Sequence, residues 1–184
     1  PVNYSRRSNM FEIWIRPISM TDPGTLHDRA LFATRAAWMA LDDLVTEGLP
    51  EDQVERAQLY LHNFSVTYGS TVGRRLAYAM DDAFFGLEEP GYLASIRPAL
   101  EEMTKADVDD AIRTHLQTDD MFVVFITDDA EGMKAKLLSG EPTSITYAGE
   151  QPPEILAEDE EIARYPIPVE EDDITIMDIM EVFE

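Results

Sequence analysis

The sequence predicts an α+β fold: a helix-rich layer packed on a small, incomplete antiparallel or mixed sheet, followed by an extended C-terminal tail. Three observations predict it. Apolar residues recur at helical spacing through most of 26–116. Two short apolar runs, 10–16 and 121–127, carry strand patterns instead. Past Gly140 the texture changes to prolines set between acidic clusters.

The first run opens the ordered chain. Phe11, Ile13 and Ile15 alternate with Glu12, Trp14 and Arg16, which suits a half-buried strand. Pro17 and the cluster Thr21, Asp22, Pro23, Gly24 end it. A long helix is expected over about 26–47, with Leu31, Trp38, Leu41 and Val45 on one face and Ala30, Ala37 and Leu44 widening it. Gly48 stops it. Pro50 then opens a second helix, where its missing N–H costs nothing, and Glu51 and Asp52 complement the positive helix start. Val54, Ala57, Leu61, Phe64 and Tyr68 form its seam.

A third helix is expected over about 70–85, with Val72, Leu76, Ala79, Met80 and Ala83 turned inward and Gly86 at its end. A fourth, about 92–103, carries Leu93, Ile96 and Leu100. Thr104 and Asp107 form a capping box for a fifth that runs to Leu116. Residues 121–127 are a continuous apolar run, expected as a strand buried on both faces. Asp128 and Asp129 cap a last helix to about Leu138. These elements place a partial C-terminal α/β unit at 1–140 and an acidic, proline-containing tail that wraps it at 141–184. Two strands make a poor sheet alone, so part of the fold is expected to come from elsewhere.

Composition narrows the function. The 184 residues hold 37 acidic and 14 basic side chains, a net charge of −23. Phosphate contacts need lysine and arginine, so nucleic acid is not an expected partner. Roughly half of that charge lies in 150–184, which reads as a solvated face or as a surface that steers substrates. No apolar stretch is long enough for a membrane-spanning helix, and no membrane partner is expected. Cysteine is absent, which removes disulfides and thiol chemistry and suits either cytoplasm or periplasm. The chain starts at Pro1 with neither an initiator methionine nor a signal-peptide pattern, so it is expected to be part of something longer.

No catalytic, cofactor-binding or metal-ligating residue is assigned. His27, His62 and His115 belong to no H-x-x-E-H or H-E-x-x-H pair that would set two imidazoles one turn apart on zinc. The carboxylate pairs 42–43, 81–82, 109–110, 119–120 and 128–129 are sequence neighbours. On a helix such neighbours diverge by about 100°, so they read as caps or solvating groups. Arg74 and Arg75 read as partners of Asp81 and Asp82. Glycine-rich phosphate loops and nucleophile elbows are missing.

The order of these pieces carries a resemblance. The run from Leu44 through Gly48 and Pro50 to Ala57 resembles the glycine-ended helix and acid-started second helix of the insulinase/pitrilysin/mitochondrial-processing-peptidase family of zinc metallopeptidases. Residues 103–112 resemble its short helix before the last core strand, and 119–129 that strand and its exit. Thr143 to Tyr147, Pro153 to Leu156 and Ala163 to Ile167 resemble the tail of bacterial members. The resemblance spans nearly the full chain but includes no catalytic signature.

It implies a parent built of homologous α/β units around a chamber, with zinc held by an H-x-x-E-H motif in an early unit. A late unit supplies an arginine and a tyrosine seven residues apart. That pair precedes the strand matched by 10–16, and Tyr4 cannot belong to it because Pro1 leaves no room for the arginine. The implied role is a non-catalytic C-terminal segment forming part of the chamber wall. Its partners would be the remainder of the peptidase or a homologous subunit, with peptide as the parent's substrate. An exposed edge of the 10–16 strand would permit homo-oligomers. A non-catalytic subunit or binding module of the same family, and an unrelated acidic helical module, are the alternative readings.

Overall fold

Helix is the only regular structure in the computed structural model, which describes residues 11–16 and 23–181. Seven α-helices occur among these residues: α1 (Pro23–Glu47), α2 (Glu51–Phe64), α3 (Val72–Phe85), α4 (Tyr92–Glu102), α5 (Lys105–His115), α6 (Ala130–Ser139) and α7 (Pro153–Arg164). Single 3-10 turns lie at Ser65–Thr67 and Glu171–Asp173.

The expected sheet is therefore not formed, and the α+β assignment is corrected to a helical one. Neither 11–16 nor 121–127 is a strand among the described residues; Met10 lies outside them. The physical reason is the missing ladder. A strand exists only through a partner's hydrogen bonds, and no main-chain bond joins 121–127 to another described residue. The same run was expected to be buried on both faces. Instead Phe122 is 95%, Val124 65% and Ile126 90% exposed, while Phe125 turns inward.

The chain forms two compact units. The described part of the first is Phe11 with 44–116. Here α2 packs on α4 and α5, and α3 on α4. Local chemistry explains most of the boundaries. Gly48 (φ 75°) and Gly86 (φ 70°) take the left-handed conformation that ends a helix and that other residues avoid. Thr71 accepts from Arg74 N–H at 3.2 Å to start α3. Thr104 and Asp107 exchange hydrogen bonds across the first turn of α5, the expected capping box. Gly91 has no side chain to cap α4, and Asp82 of α3 does so from outside, accepting from Tyr92 N–H at 3.2 Å.

The described part of the second unit is 12–16, 23–43 and 117–181. Its core is Ala30 and Leu31 of α1 against Met133 of α6, with Phe125, Leu137 and Ile167 around them. Leu31 is almost wholly enclosed, which contributes about 2 kcal/mol. Trp38 and Leu41, expected on the buried face of α1, are buried. The segment read as an extended tail holds a three-turn helix, α7, whose Pro153 occupies a first-turn position. Ile162 of α7 is buried. Lys134 of α6 pairs with Glu171 at 3.3 Å.

Candidate functional site

The histidines serve different local roles. His62 on α2 faces α4, where its Nε2 lies 2.9 Å from Glu101 Oε1 and 3.2 Å from Arg97 Nε. That nitrogen can donate to Glu101 or accept from Arg97, depending on the ring's tautomer. His115 sits in the last turn of α5. His27 on α1 is buried, its Nε2 4.0 Å from Asp129 Oδ2. Among the described residues no group of three histidine or carboxylate side chains converges as a metal site would require.

The carboxylate pairs divide their work. One member of four pairs makes a structural bond. Asp42 accepts from the Tyr165 hydroxyl. Asp82 caps α4, and Asp129 caps α6 by accepting from Gly132 N–H at 2.9 Å. Asp109 is a junction of the first unit. It is buried, pairs with Lys105, and accepts from Leu49 N–H at 3.2 Å. The Lys105 bond holds its carboxyl below the usual range, opposed by burial and helped by the Leu49 N–H. Only 2.3 Å would separate Asp109 Oδ1 from a Cβ at position 48, so glycine there also makes room for this carboxylate. Arg74 and Arg75 do not pair with Asp81 and Asp82 as expected; their guanidinium groups donate to the carbonyls of Thr67 and Gly69 at 2.8 and 2.7 Å.

Two clefts lie within the second unit. One, of about 420 Å³, is lined by His27, Asp28, Lys136, Ser139 and Glu141. Its cation is already neutralised, because Lys136 lies 3.0 Å from Asp28 and 3.6 Å from Glu141. The other, of about 260 Å³, is lined by Trp38, Asp42, Asp119, Tyr165, Pro166 and Pro168 among others. It holds two carboxylates and no basic side chain. The hydrogen bond to Asp42, then burial and the nearby acids, push the Tyr165 hydroxyl up to about 12.

Arg35 organises the same unit without lining either cleft. It is 5% exposed, and its guanidinium donates to the carbonyl of Ala163 in the last turn of α7 and to that of Glu141 at 3.1 Å. A cation at the carbonyl end of a helix complements its dipole. Burial pulls the guanidinium down from its ordinary value and Asp28 opposes the shift.

Many large apolar groups point outward. On α3, Val72, Leu76, Met80 and Phe84 recur every four residues and all are exposed. The sequence placed Val72, Leu76, Ala79, Met80 and Ala83 inward, yet no residue of α3 is buried. The helix is held by its other side, where Tyr78 stacks between Tyr68 at 6.0 Å and Tyr92 at 5.5 Å. Tyr60 and Phe64 of α2 extend that row of rings. Sequence reasoning missed Arg35, Asp109 and the Tyr165–Asp42 bond. Periodicity carries no signal for a partner 60 or more residues away, as Leu49 is from Asp109, Ala163 from Arg35 and Tyr165 from Asp42. A buried-face arginine among alanines, as in Arg35-Ala36-Ala37, was the one local hint of the first.

Comparison of the chain with protein-family models, with curated proteins and with solved structures finds no match.

Proposed function

We propose that the chain is a non-catalytic segment from the C-terminal part of an insulinase-like zinc metallopeptidase, where it forms part of the substrate-chamber wall and packs on the catalytic portion. The observation that carries this reading is the outward apolar face of α3. Its four side chains are large, evenly spaced and exposed, and burying each against a protein neighbour would stabilise by about 1.5–3 kcal/mol. A helix whose tyrosine side is anchored and whose other apolar side faces out suits a wall with a neighbour behind it. The helical half of the family resemblance, the order and caps of α1 to α5, supports the same reading. The family's sheet does not, since the described residues form none.

The chain's own residues would supply packing and charge rather than bond cleavage. Any zinc would be held by the catalytic portion, and peptide would be the parent's substrate. The test is the reading frame upstream of the Pro1 codon, together with elemental analysis of the purified chain. An upstream H-x-x-E-H in the same frame, with neither zinc nor peptide cleavage in the chain alone, is expected. Stoichiometric zinc or cleavage by the chain overturns the reading. A frame without the motif, beside a gene for a catalytic subunit, would make the chain a non-catalytic partner subunit instead.

A further inference from the structure

A second apolar surface carries more information than the α3 face, because charges mark its ends. In the second unit Phe122, Val123, Val124 and Ile126 face outward around the inward-turned Phe125, and they are the most exposed run of large apolar side chains among its described residues. Asp119 and Asp120 lie before this strip, and Asp128 and Asp129 after it. Between Arg113 and Lys134 there is no lysine or arginine. Asp119 also lines the cleft of about 260 Å³ that holds Trp38, Tyr165 and Asp42. Met121 is two positions further on, so that cleft lies within about 7 Å of the start of the strip.

We infer that residues 119–127 and the Trp38–Tyr165 cleft form one docking surface for an extended apolar segment of another polypeptide that carries lysine or arginine at one end. The strip takes apolar side chains, and its main-chain groups, which bond no other described residue, can bond the segment lengthwise. The cleft takes the cation: Asp42 and Asp119 supply opposite charge, and the rings of Trp38 and Tyr165 favour a cation over their faces. Charge selects this occupant over a second copy. Antiparallel pairing of two such strips would set Asp119 and Asp120 against Asp128 and Asp129, and each chain already carries −23. An acidic segment is disfavoured for the same reason.

The inference concerns a different surface from the α3 face and stands whether or not the peptidase reading does. Fluorescence anisotropy tests it with a labelled peptide of alternating valine and threonine, as long as the strip and ending in Lys-Arg. The control is the same peptide ending in Glu-Glu. The Lys-Arg peptide is expected to bind, and the control to bind at least about tenfold more weakly. Phe122→Ser with Ile126→Ser should abolish binding; both positions are exposed, and an unchanged circular dichroism spectrum would show the fold intact. Asp119→Asn should weaken the Lys-Arg peptide several-fold and leave the Glu-Glu peptide no weaker. Equal affinity for both peptides overturns the inference, as does undiminished binding by the double variant. A dimer in sedimentation that the double variant splits would also overturn it, since the occupant would then be a second copy.

Discussion

The two units are built from the same kinds of residue but fastened differently. In the first, the ties are short-range or bridge neighbouring helices: Thr104 with Asp107, Thr71 with Arg74 N–H, Asp82 with Tyr92 N–H, Asp109 with Leu49 N–H. In the second, they span most of the sequence. Arg35 reaches Ala163 across 128 positions, and Tyr165 reaches Asp42 across 123. The difference teaches that many small caps can hold one unit, while a second can depend on one buried cation.

Arg35→Ala should break the comparison most sharply. It removes two charge-assisted hydrogen bonds, one to the Glu141 carbonyl and one to the Ala163 carbonyl, which keeps only Thr143 N–H, at a cost of about 1.5–3 kcal/mol. Both tryptophans, Trp14 and Trp38, belong to the second unit. Urea unfolding followed by tryptophan fluorescence should therefore shift strongly, while amide exchange in α5 stays near wild type. Arg35→Lys should not restore the unit, because an ammonium lacks the fork that bonds two carbonyls. Exchange rising equally in α5 and α6 would show that the two units unfold together.

Gly48→Ala attacks the first unit. A positive φ costs a non-glycine residue about 1–2 kcal/mol, and the new methyl also displaces Asp109. Faster exchange in α2 and α5, with tryptophan fluorescence unmoved, is the expected result. Thr104→Ala should act on α5 alone and cost about 1 kcal/mol by thermal denaturation.

The pH dependence should run in opposite directions. Asp107 and Asp109 have carboxyls held low, by the Thr104 bonds and the Lys105 bond respectively. Their contribution is present above the unfolded value near 4 and is lost as pH falls through the folded values. Tyr165 is pushed up to about 12, so its contribution is present below the unfolded value near 10 and is lost as pH rises between the two. Acid should loosen α5 first, measured by exchange. Alkali should loosen the second unit first, and Tyr165→Phe should remove the last step in tyrosine ultraviolet absorbance. The smallest effect belongs to Met80→Gln on the exposed face of α3, within about 0.5 kcal/mol in urea.

Helix positions and their stops were legible in the sequence because their causes are local. Gly48, Gly86, Thr104 and Asp129 act within a few residues of where they stand, and each does in the structure what its type suggests. The direction a helix faces was less legible. On α3, Tyr78 lies on a different side from Val72, Leu76, Met80 and Phe84, and hydrophobicity alone favoured the latter side; the stacking of Tyr78 between Tyr68 and Tyr92 won. The strand reading of 121–127 failed for a related reason. Period and β-branching describe a segment able to pair, and pairing needs a partner that the described residues do not provide. α7 was hidden because prolines at 152 and 153 were read as extended chain when they also start helices. Of the surfaces proposed to bind, the acidic ends of the 121–127 strip could be read directly, while its cleft could not, since Trp38 and Tyr165 are far apart in sequence.

The Arg35 tie also fixes an order in time. A ribosome adds about 5–20 residues per second, so roughly 6–25 s pass between the synthesis of Arg35 and that of its acceptor at Ala163. For that interval α1 has been made but its buried arginine has no carbonyl to hold, and Leu31 waits almost as long for Met133. The helices of the first unit are translated within the gap, with their caps already beside them. During its own synthesis the chain therefore exposes the apolar face of α1 longest, which makes that face the one a nascent-chain chaperone would meet.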